Sequence, residues 1–283
     1  MFSDTHAHLD FEEFQNDLEQ VVHRALQAGV TRIITIGTTV QGCRRSVQLA
    51  ETYSPYVFAA VGIHPNEAQN LSDGWWEELN QLARHPRVVA IGECGLDYHR
   101  PPQQKTHSPT QGECCEEPIN NDEQDFIIQS WKEQQAFVFR MQLELAARAE
   151  LNVIIHQRDS WRDCINILEE AAPGIRAVFH CFSGTLEQAR ELLQRNHLLS
   201  FTGNVTFKKA EHIRAVVAQI PENSFMIETD CPFLAPVPHR GSRCEPAYVI
   251  DTAKKIAEIR GIRLEDVSRL TETTVDGFFK WKK

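Results

Sequence analysis

The stretch Val88-Val89-Ala90-Ile91-Gly92-Glu93 is an apolar run that ends in a carboxylate. Runs of this kind are typical of strands that are buried on both faces of a parallel sheet. Seven other β-rich runs are spaced along the chain, at residues 2–8, 32–37, 57–63, 153–156, 177–180, 198–202 and 225–230. Segments of helical length and period lie between most of them, so the sequence predicts alternating strands and helices.

Eight such units predict that the sheet closes into a (β/α)8 barrel, the α/β fold known as the TIM barrel. The length of 283 residues is close to the roughly 250 that are typical of this fold, so we expect a single domain over residues 1–283. An alternative is a doubly wound open sheet, although no G-x-G-x-x-G motif follows the first run.

Two segments fall outside the repeating pattern. Residues from about 101 to 130 are polar, and we interpret them as a long loop insertion between the fourth strand and its helix, on the catalytic rim. Residues 264–279 have a helical pattern after the last barrel helix and predict an extra C-terminal helix.

The composition excludes some classes of protein. A formal net charge of −10 argues against a broad basic face that coats nucleic acid, but not against an enzyme that holds a few phosphates. The sequence shows no apolar run of membrane-spanning length and no secretory signal, so we expect a cytoplasmic protein without membrane association. We also expect a monomer. The eight cysteines are then expected to be reduced.

Side chains that can bind metals follow five of the eight predicted strands. Because barrel enzymes carry their sites at the carboxyl ends of the strands, these side chains are expected to meet at one rim. The predicted metal ligands are His6, His8, Glu93, His156, His180 and Asp230. Six such ligands suffice for two divalent ions about 3.5–4 Å apart, with Mg²⁺, Mn²⁺ and Zn²⁺ as the candidates.

Two carboxylates are also predicted to be catalytic. Glu93 is suited to bridging two ions, because each of its oxygens can bind one, and Asp230 is assigned to general-base catalysis as well as ligation. Glu228 lies two residues before Asp230 and Asp4 two residues before His6, on the same faces of their strands. We expect Glu228 and Asp4 to lie behind the ligands and to orient a histidine or a water.

Simpler structural roles compete with these predictions. His156 or His180 alone would more often be a core histidine bonded to a carbonyl, and Glu93 would suit a salt bridge to an arginine. The equivalent positions of the two histidines on neighbouring strands favour ligation instead. Cys181 and Cys231 adjoin predicted ligands, so a nucleophilic cysteine is a further hypothesis, but small buried thiols are common.

Several motifs together resemble one family. They are Asp4-Thr5-His6-Ala7-His8, Gly62-Ile63-His64-Pro65, Gly92-Glu93-Cys94-Gly95-Leu96-Asp97-Tyr98, Val153-Ile154-Ile155-His156, His180-Cys181-Phe182-Ser183-Gly184 and Ile227-Glu228-Thr229-Asp230-Cys231-Pro232. In this order they resemble the TatD family of metal-dependent deoxyribonucleases, within the amidohydrolase-like superfamily. The resemblance implies two divalent metals, the same six ligands, and 3′-to-5′ exonuclease action on single-stranded DNA. It also implies that His64 lies on the substrate side.

The sequence says less about which residues contact the phosphates of the substrate than about the metal ligands. By position we consider four candidates, although each arginine would equally suit an ordinary surface charge. The candidates are Arg158, Asn204, Arg240 and Arg243. The chain departs from the family pattern in the longer segment 101–130 and in Cys244, where the family commonly has Asn.

Three functions remain open at this point. The leading one is a metal-dependent DNase. The second is an amidase, lactonase or phosphoesterase acting on a small molecule; many such barrels bridge their metals with a carboxylated lysine on the fourth strand, where this chain has Glu93. The third is a metal-binding barrel without catalysis, because the fold alone does not determine the chemistry.

Overall fold

The computed structural model describes residues 1–102 and 121–281. Eight parallel strands form one sheet in chain order, each paired with the next. The strands are β1 Phe2–Ala7, β2 Val30–Ile36, β3 Val57–Val61, β4 Val88–Asp97, β5 Asn152–Arg158, β6 Ala177–Phe179, β7 Leu198–Phe201 and β8 Phe225–Ile227. The predicted (β/α)8 barrel is confirmed, and the doubly wound alternative is excluded by this strand order.

Helices alternate with the strands and lie outside the sheet. They are α1 Leu18–Gln27, α2 Val40–Thr52, α3 Trp75–Leu82, α4 Asn121–Ala149, α5 Trp161–Ala171, α6 Leu186–Gln194, α7 Glu211–Gln219, α8 Val249–Arg260 and α9 Leu264–Phe278. In α1 the buried side chains are Val21, Val22 and Ala25, whose spacing places them on the one face that meets the sheet. None of the helices in the described part of the chain has the length and apolar character needed to cross a membrane.

The barrel closes between β8 and β1 beside the predicted ligands. Ala7 and Cys231 form a parallel bridge. The His8 N–H donates to the carbonyl of Cys231 at 2.8 Å, and the Asp230 N–H donates to the carbonyl of His6 at 2.9 Å. The same backbone hydrogen bonds that close the sheet therefore fix the relative positions of ligand candidates from its first and last strands.

The amino end of the barrel is filled by apolar side chains. Ile34, Ile154 and Met226 from the strands form one buried cluster with Phe278 and Phe279. The Asn152 side chain also donates to the carbonyl of Phe278. The predicted C-terminal helix is thus confirmed as α9, and its end covers the amino ends of the strands, opposite the rim with the ligand candidates.

The prediction of a loop over residues 101–130 is wrong for the C-terminal part of that segment. Residues 121–130 are the first turns of α4, which begins at Asn121. Asp122 and Glu123 in the first turn favour this helix end through the helix dipole. Phe126 is 74% exposed, so this part of α4 does not pack on the core and carries no apolar periodicity to predict it. Residues 103–120 of the predicted loop lie outside the described residues.

A buried carboxyl also joins β1 to the end of β8. Asp4 accepts hydrogen bonds from the backbone N–H of Thr229 at 2.9 Å and is paired with the Thr229 hydroxyl at 2.6 Å. Burial raises the pKa of Asp4 to about 8, against the lowering effect of these bonds. At neutral pH this carboxyl is therefore mostly protonated, with one donor and one acceptor, as in an amide.

We expect Asp4→Asn to fold with stability close to that of the wild type, because an amide preserves both bonds to Thr229. Asp4→Ala leaves the buried Thr229 N–H without its partner and should cost about 1–3 kcal/mol. Urea unfolding at pH 7 measures both effects. An alanine variant as stable as the wild type would show that the Asp4–Thr229 contact does not hold the barrel closed.

Candidate metal centre

The carboxylate of Glu93 lies at the middle of the candidate site, with 3% of its side chain exposed. Its Oε2 lies 3.4 Å from His6 Nε2 and 3.9 Å from His8 Nε2. Its Oε1 lies 2.7 Å from both His156 Nδ1 and His180 Nε2. The two oxygens thus face two different sets of histidines.

Asp230 completes the first of these groups. Its Oδ1 lies 3.4 Å from His8 Nε2 and 3.8 Å from His6 Nε2, on the same side as Glu93 Oε2. The structure therefore brings all six predicted ligands together as two adjoining donor groups that share Glu93. In the part of the chain that the structure describes, three overlapping sets of side chains have donor atoms within 4.8 Å of one another and could hold a metal ion; they are His6, Glu93 and His180, then His6, His8 and Asp230, and then His64, Glu93 and His156.

The position of Glu93 along its strand differs from the prediction. β4 continues four residues beyond the predicted end, to Asp97, so Glu93 lies inside the strand. Gly95 has φ +137°, and a Cβ there would lie 2.1 Å from the carbonyl oxygen of His156. Only a glycine allows β4 to run this close to β5, and the close pairing brings Glu93 beside His156.

The donor set fits divalent cations. His6 is fully buried, yet neither of its ring nitrogens has a hydrogen-bond partner among the described residues. Such an unpaired buried nitrogen is costly, and a cation beside His6 Nε2 would compensate it. Imidazole and carboxylate ligands together suit Zn²⁺ and Mn²⁺, and Mg²⁺ where water and oxygen complete the shell.

The charges around the centre also favour a cation. Burial alone would raise the pKa of Glu93, but the charge of His180 and hydrogen bonds from His156 and His180 hold this pKa well below its usual value. Burial would lower the pKa of His180, yet the carboxylates of Glu93 and Glu228 raise it well above its usual value. Both carboxylates therefore stabilise positive charge at this position, whether it is a proton or a metal ion.

Glu228 lies behind His180. Its Oε1 is 3.6 Å from His180 Nδ1 and accepts a hydrogen bond from the Cys181 N–H at 2.6 Å. Its Oε2 accepts from the Ser200 hydroxyl at 2.7 Å. These contacts hold the carboxylate in place to orient the imidazole. Asp4, predicted to act in the same way, instead contacts Thr229 and the backbone N–H of His6.

Asp97 has a position that the sequence analysis missed. Its Oδ2 lies 3.1 Å from His156 Nε2, the ring nitrogen on the other side from the Nδ1 that contacts Glu93. Burial opposes its ionisation, but the hydrogen bond from His156 lowers the pKa of Asp97 to about 2. The spacing could have revealed Asp97, because it lies four residues after Glu93 and residues four apart on a strand lie on the same face.

Hydrogen bonds distinguish His8 from His64. His8 Nδ1 lies 3.3 Å from the carbonyl of Ile36 and donates to it, so Nε2 is the nitrogen left to bind a cation. His64 Nδ1 instead accepts from the Asn66 N–H at 3.1 Å. Burial lowers the pKa of His64 to about 4, so the neutral ring carries its proton on Nε2. That Nε2 lies 3.6 Å from Glu93 Oε1 and is a hydrogen-bond donor at the edge of the centre.

Arg243, proposed as a phosphate contact, is already paired. Its Nη1 and Nη2 each donate to one carboxylate oxygen of Asp17 at 2.7 Å, and its guanidinium lies over the ring of Phe14. Because this ion pair occupies both Nη atoms of the guanidinium, a phosphate would have to displace Asp17 to bind Arg243 there.

The other three candidates have different surroundings. Arg240 is exposed and its guanidinium lies 3.8 Å from the centre of the Phe207 ring. Arg158 is exposed at the end of β5, two residues beyond His156. Asn204 Nδ2 contacts Cys181 Sγ at 3.7 Å, next to His180. All three therefore stay predictions.

The cysteine hypothesis loses support. Burial raises the pKa of Cys181 to about 12 and that of Cys231 well above its usual value, so both remain protonated thiols and poor nucleophiles. All six described cysteines are free. Cys114 and Cys115 lie outside the described residues.

Comparison with known proteins places this site in a family. A family model described as TatD related DNase matches residues 3–280. The Bacillus subtilis (strain 168) protein named uncharacterized metal-dependent hydrolase YabD is 38% identical over 281 residues, which cover 99% of each chain. A Pectobacterium carotovorum protein named 3′-5′ ssDNA/RNA exonuclease TatD is 33% identical over 277 residues, which cover 96% of this chain and 95% of that protein.

A solved structure agrees with the sequence comparisons. The crystal structure of YjjV, a TatD homologue from Escherichia coli K12, superposes with a TM-score of 0.82 at 31% identity. The match covers 98% of this chain and 97% of that one. Together with the donor groups around Glu93, these matches show that the chain belongs to the TatD-related family of metal-dependent hydrolases.

Proposed function

We propose that this chain is a nuclease that hydrolyses phosphodiester bonds of single-stranded DNA from the 3′ end, with two divalent ions at the Glu93 centre. The observation that carries the proposal is the division of the donors into two groups, one on each oxygen of Glu93. The relative named as a 3′-5′ ssDNA/RNA exonuclease supports the substrate class and the polarity.

The residues that would hold the ions are His6, His8, Asp230 and Glu93 Oε2 on one side, and His156, His180 and Glu93 Oε1 on the other. Bound there, the pair would lower the pKa of a water between them and offset charge on the phosphate oxygens. The chain itself provides the fixed geometry, because hydrogen bonds to backbone and carboxylates orient the imidazoles.

Two further side chains have suitable positions for the reaction. Burial would raise the pKa of Asp230, but the hydrogen bond from His8 and nearby histidine charges lower it, so its carboxylate is ionised. With 14% of its side chain exposed, Asp230 can accept a proton from the attacking water. His64, with its proton on Nε2, can donate a hydrogen bond to a phosphate oxygen.

The competing functions have less support. A small-molecule amidase, lactonase or phosphoesterase is compatible with the barrel, but no contact in the described residues favours it over a nuclease. A metal-binding barrel without catalysis does not account for an ionised, partly exposed Asp230 beside the donor groups. The cytoplasmic location and the monomeric state stay predictions.

Cleavage of 5′-labelled single-stranded DNA tests the proposal, with Mg²⁺, Mn²⁺ or Zn²⁺ added. We expect products that shorten progressively from the 3′ end and that disappear with EDTA. His180→Ala should lower kcat by more than about 100-fold, beyond the loss that typically follows removal of an outer hydrogen-bond partner. Unchanged cleavage in a folded His180→Ala variant would refute the site, and shortening from the 5′ end would refute the polarity.

A pair of arginine variants tests which cation contacts the phosphates. Arg240 lies on an aromatic face, whereas Arg243 is paired with Asp17. We expect Arg240→Ala to raise KM for single-stranded DNA about tenfold, through loss of a charged hydrogen bond. Arg243→Ala should leave KM unchanged and reduce the free energy of unfolding by about 1 kcal/mol or less. A KM increase of similar size in Arg243→Ala would restore that residue as a phosphate contact.

A further inference from the structure

Two phenylalanines lie against one of the ligand histidines at the rim. The ring of Phe11 stacks on the ring of His8, with 4.7 Å between centroids and 23° between planes. Phe233 meets Phe11 edge to face at 6.1 Å and 79°, and meets His8 at 6.3 Å and 66°. His8 Nε2 in turn faces Asp230 at 3.4 Å. A continuous aromatic surface therefore begins at the metal centre and ends at Phe233.

We propose that Phe233, supported by Phe11, stacks a nucleobase next to the scissile phosphate and so positions the DNA end. This inference rests on the proposed nuclease function and adds a substrate-positioning residue to it. A base is joined to its phosphate through one sugar, so a phosphate at the centre would bring the adjoining base to this part of the rim.

Exposure alone does not distinguish Phe233, because isolated exposed apolar side chains are common. Phe233 is 49% exposed and Phe137, on the outside of α4, is 53% exposed. The difference is the setting of Phe233. Its backbone N–H donates to the carbonyl of Asp230 at 3.0 Å, which fixes the backbone that carries the ring next to a ligand candidate. Phe137 therefore provides a matched control for removal of an exposed phenylalanine.

Stacking also suits the charge of the protein. With a net charge of −10, the chain as a whole repels a polyanion at long range and lacks the attraction that a basic protein would have. Stacking on an aromatic face supplies binding energy without that attraction, and it tolerates every base because each base has a π face. An exonuclease that removes successive nucleotides requires this kind of sequence-independent contact.

The test compares normal oligonucleotides with ones that carry a single abasic residue on either side of the terminal phosphodiester bond. We expect Phe233→Ala to raise KM about tenfold on the normal substrate, within the range of one lost base–aromatic stack, with a smaller change in kcat. On the substrate that lacks the stacked base, the ratio of the KM of Phe233→Ala to that of the wild type should be severalfold smaller than on the normal substrate. Phe233→Trp should keep KM close to that of the wild type, because it retains an aromatic face. Phe137→Ala should behave as the wild type.

The outcomes separate the two proposals. An equal KM penalty on the normal and both abasic substrates, or a Phe233→Ala variant with unchanged KM, would overturn base stacking and leave the nuclease function standing. The same holds if Phe137→Ala is as impaired as Phe233→Ala. A wild-type protein that cleaves no DNA would overturn both proposals. Circular dichroism and urea unfolding check that each variant is folded.

Discussion

The buried charge of Glu93 is the interaction on which the rest of the site depends. A carboxylate with 3% of its side chain exposed is costly unless positive groups compensate it. The compensation comes from two sides, because His6 approaches one oxygen and His156 and His180 approach the other. Since these histidines belong to different strands, the stability of the centre and the closure of the barrel are coupled.

Backbone contacts then decide what each imidazole can do. His8 donates from Nδ1 to the carbonyl of Ile36, so its other nitrogen is free to bind a cation. His64 accepts at Nδ1 from the Asn66 N–H, so its other nitrogen carries a proton and faces the centre as a donor. The two histidines lie at similar distances from the carboxylate oxygens of Glu93 but are suited to different tasks. His8 is suited to bind a metal ion, and His64 is suited to donate a hydrogen bond to a phosphate oxygen.

Much of this could be predicted from the sequence, because apolar runs alternating with helical segments specify a barrel whose strand ends meet at one rim. The remainder depends on tertiary contacts. Arg243 pairs with Asp17, 226 residues away, which no local pattern reveals. The start of α4 at Asn121 has no apolar face to mark it. Asp97 had the right spacing, but its position depends on the continuation of β4 past Gly95.

The central claim is that Glu93 joins two ion sites, and Mn²⁺ binding followed by electron paramagnetic resonance tests it most directly. We predict that the wild type binds two Mn²⁺ per chain with the spectrum of a magnetically coupled pair, as expected for ions about 3.5–4 Å apart. Glu93→Gln, which removes the charge and keeps the shape, should lose the coupled spectrum and at least one ion. A wild type with a single Mn²⁺, or a coupled pair that persists in Glu93→Gln, would contradict the account.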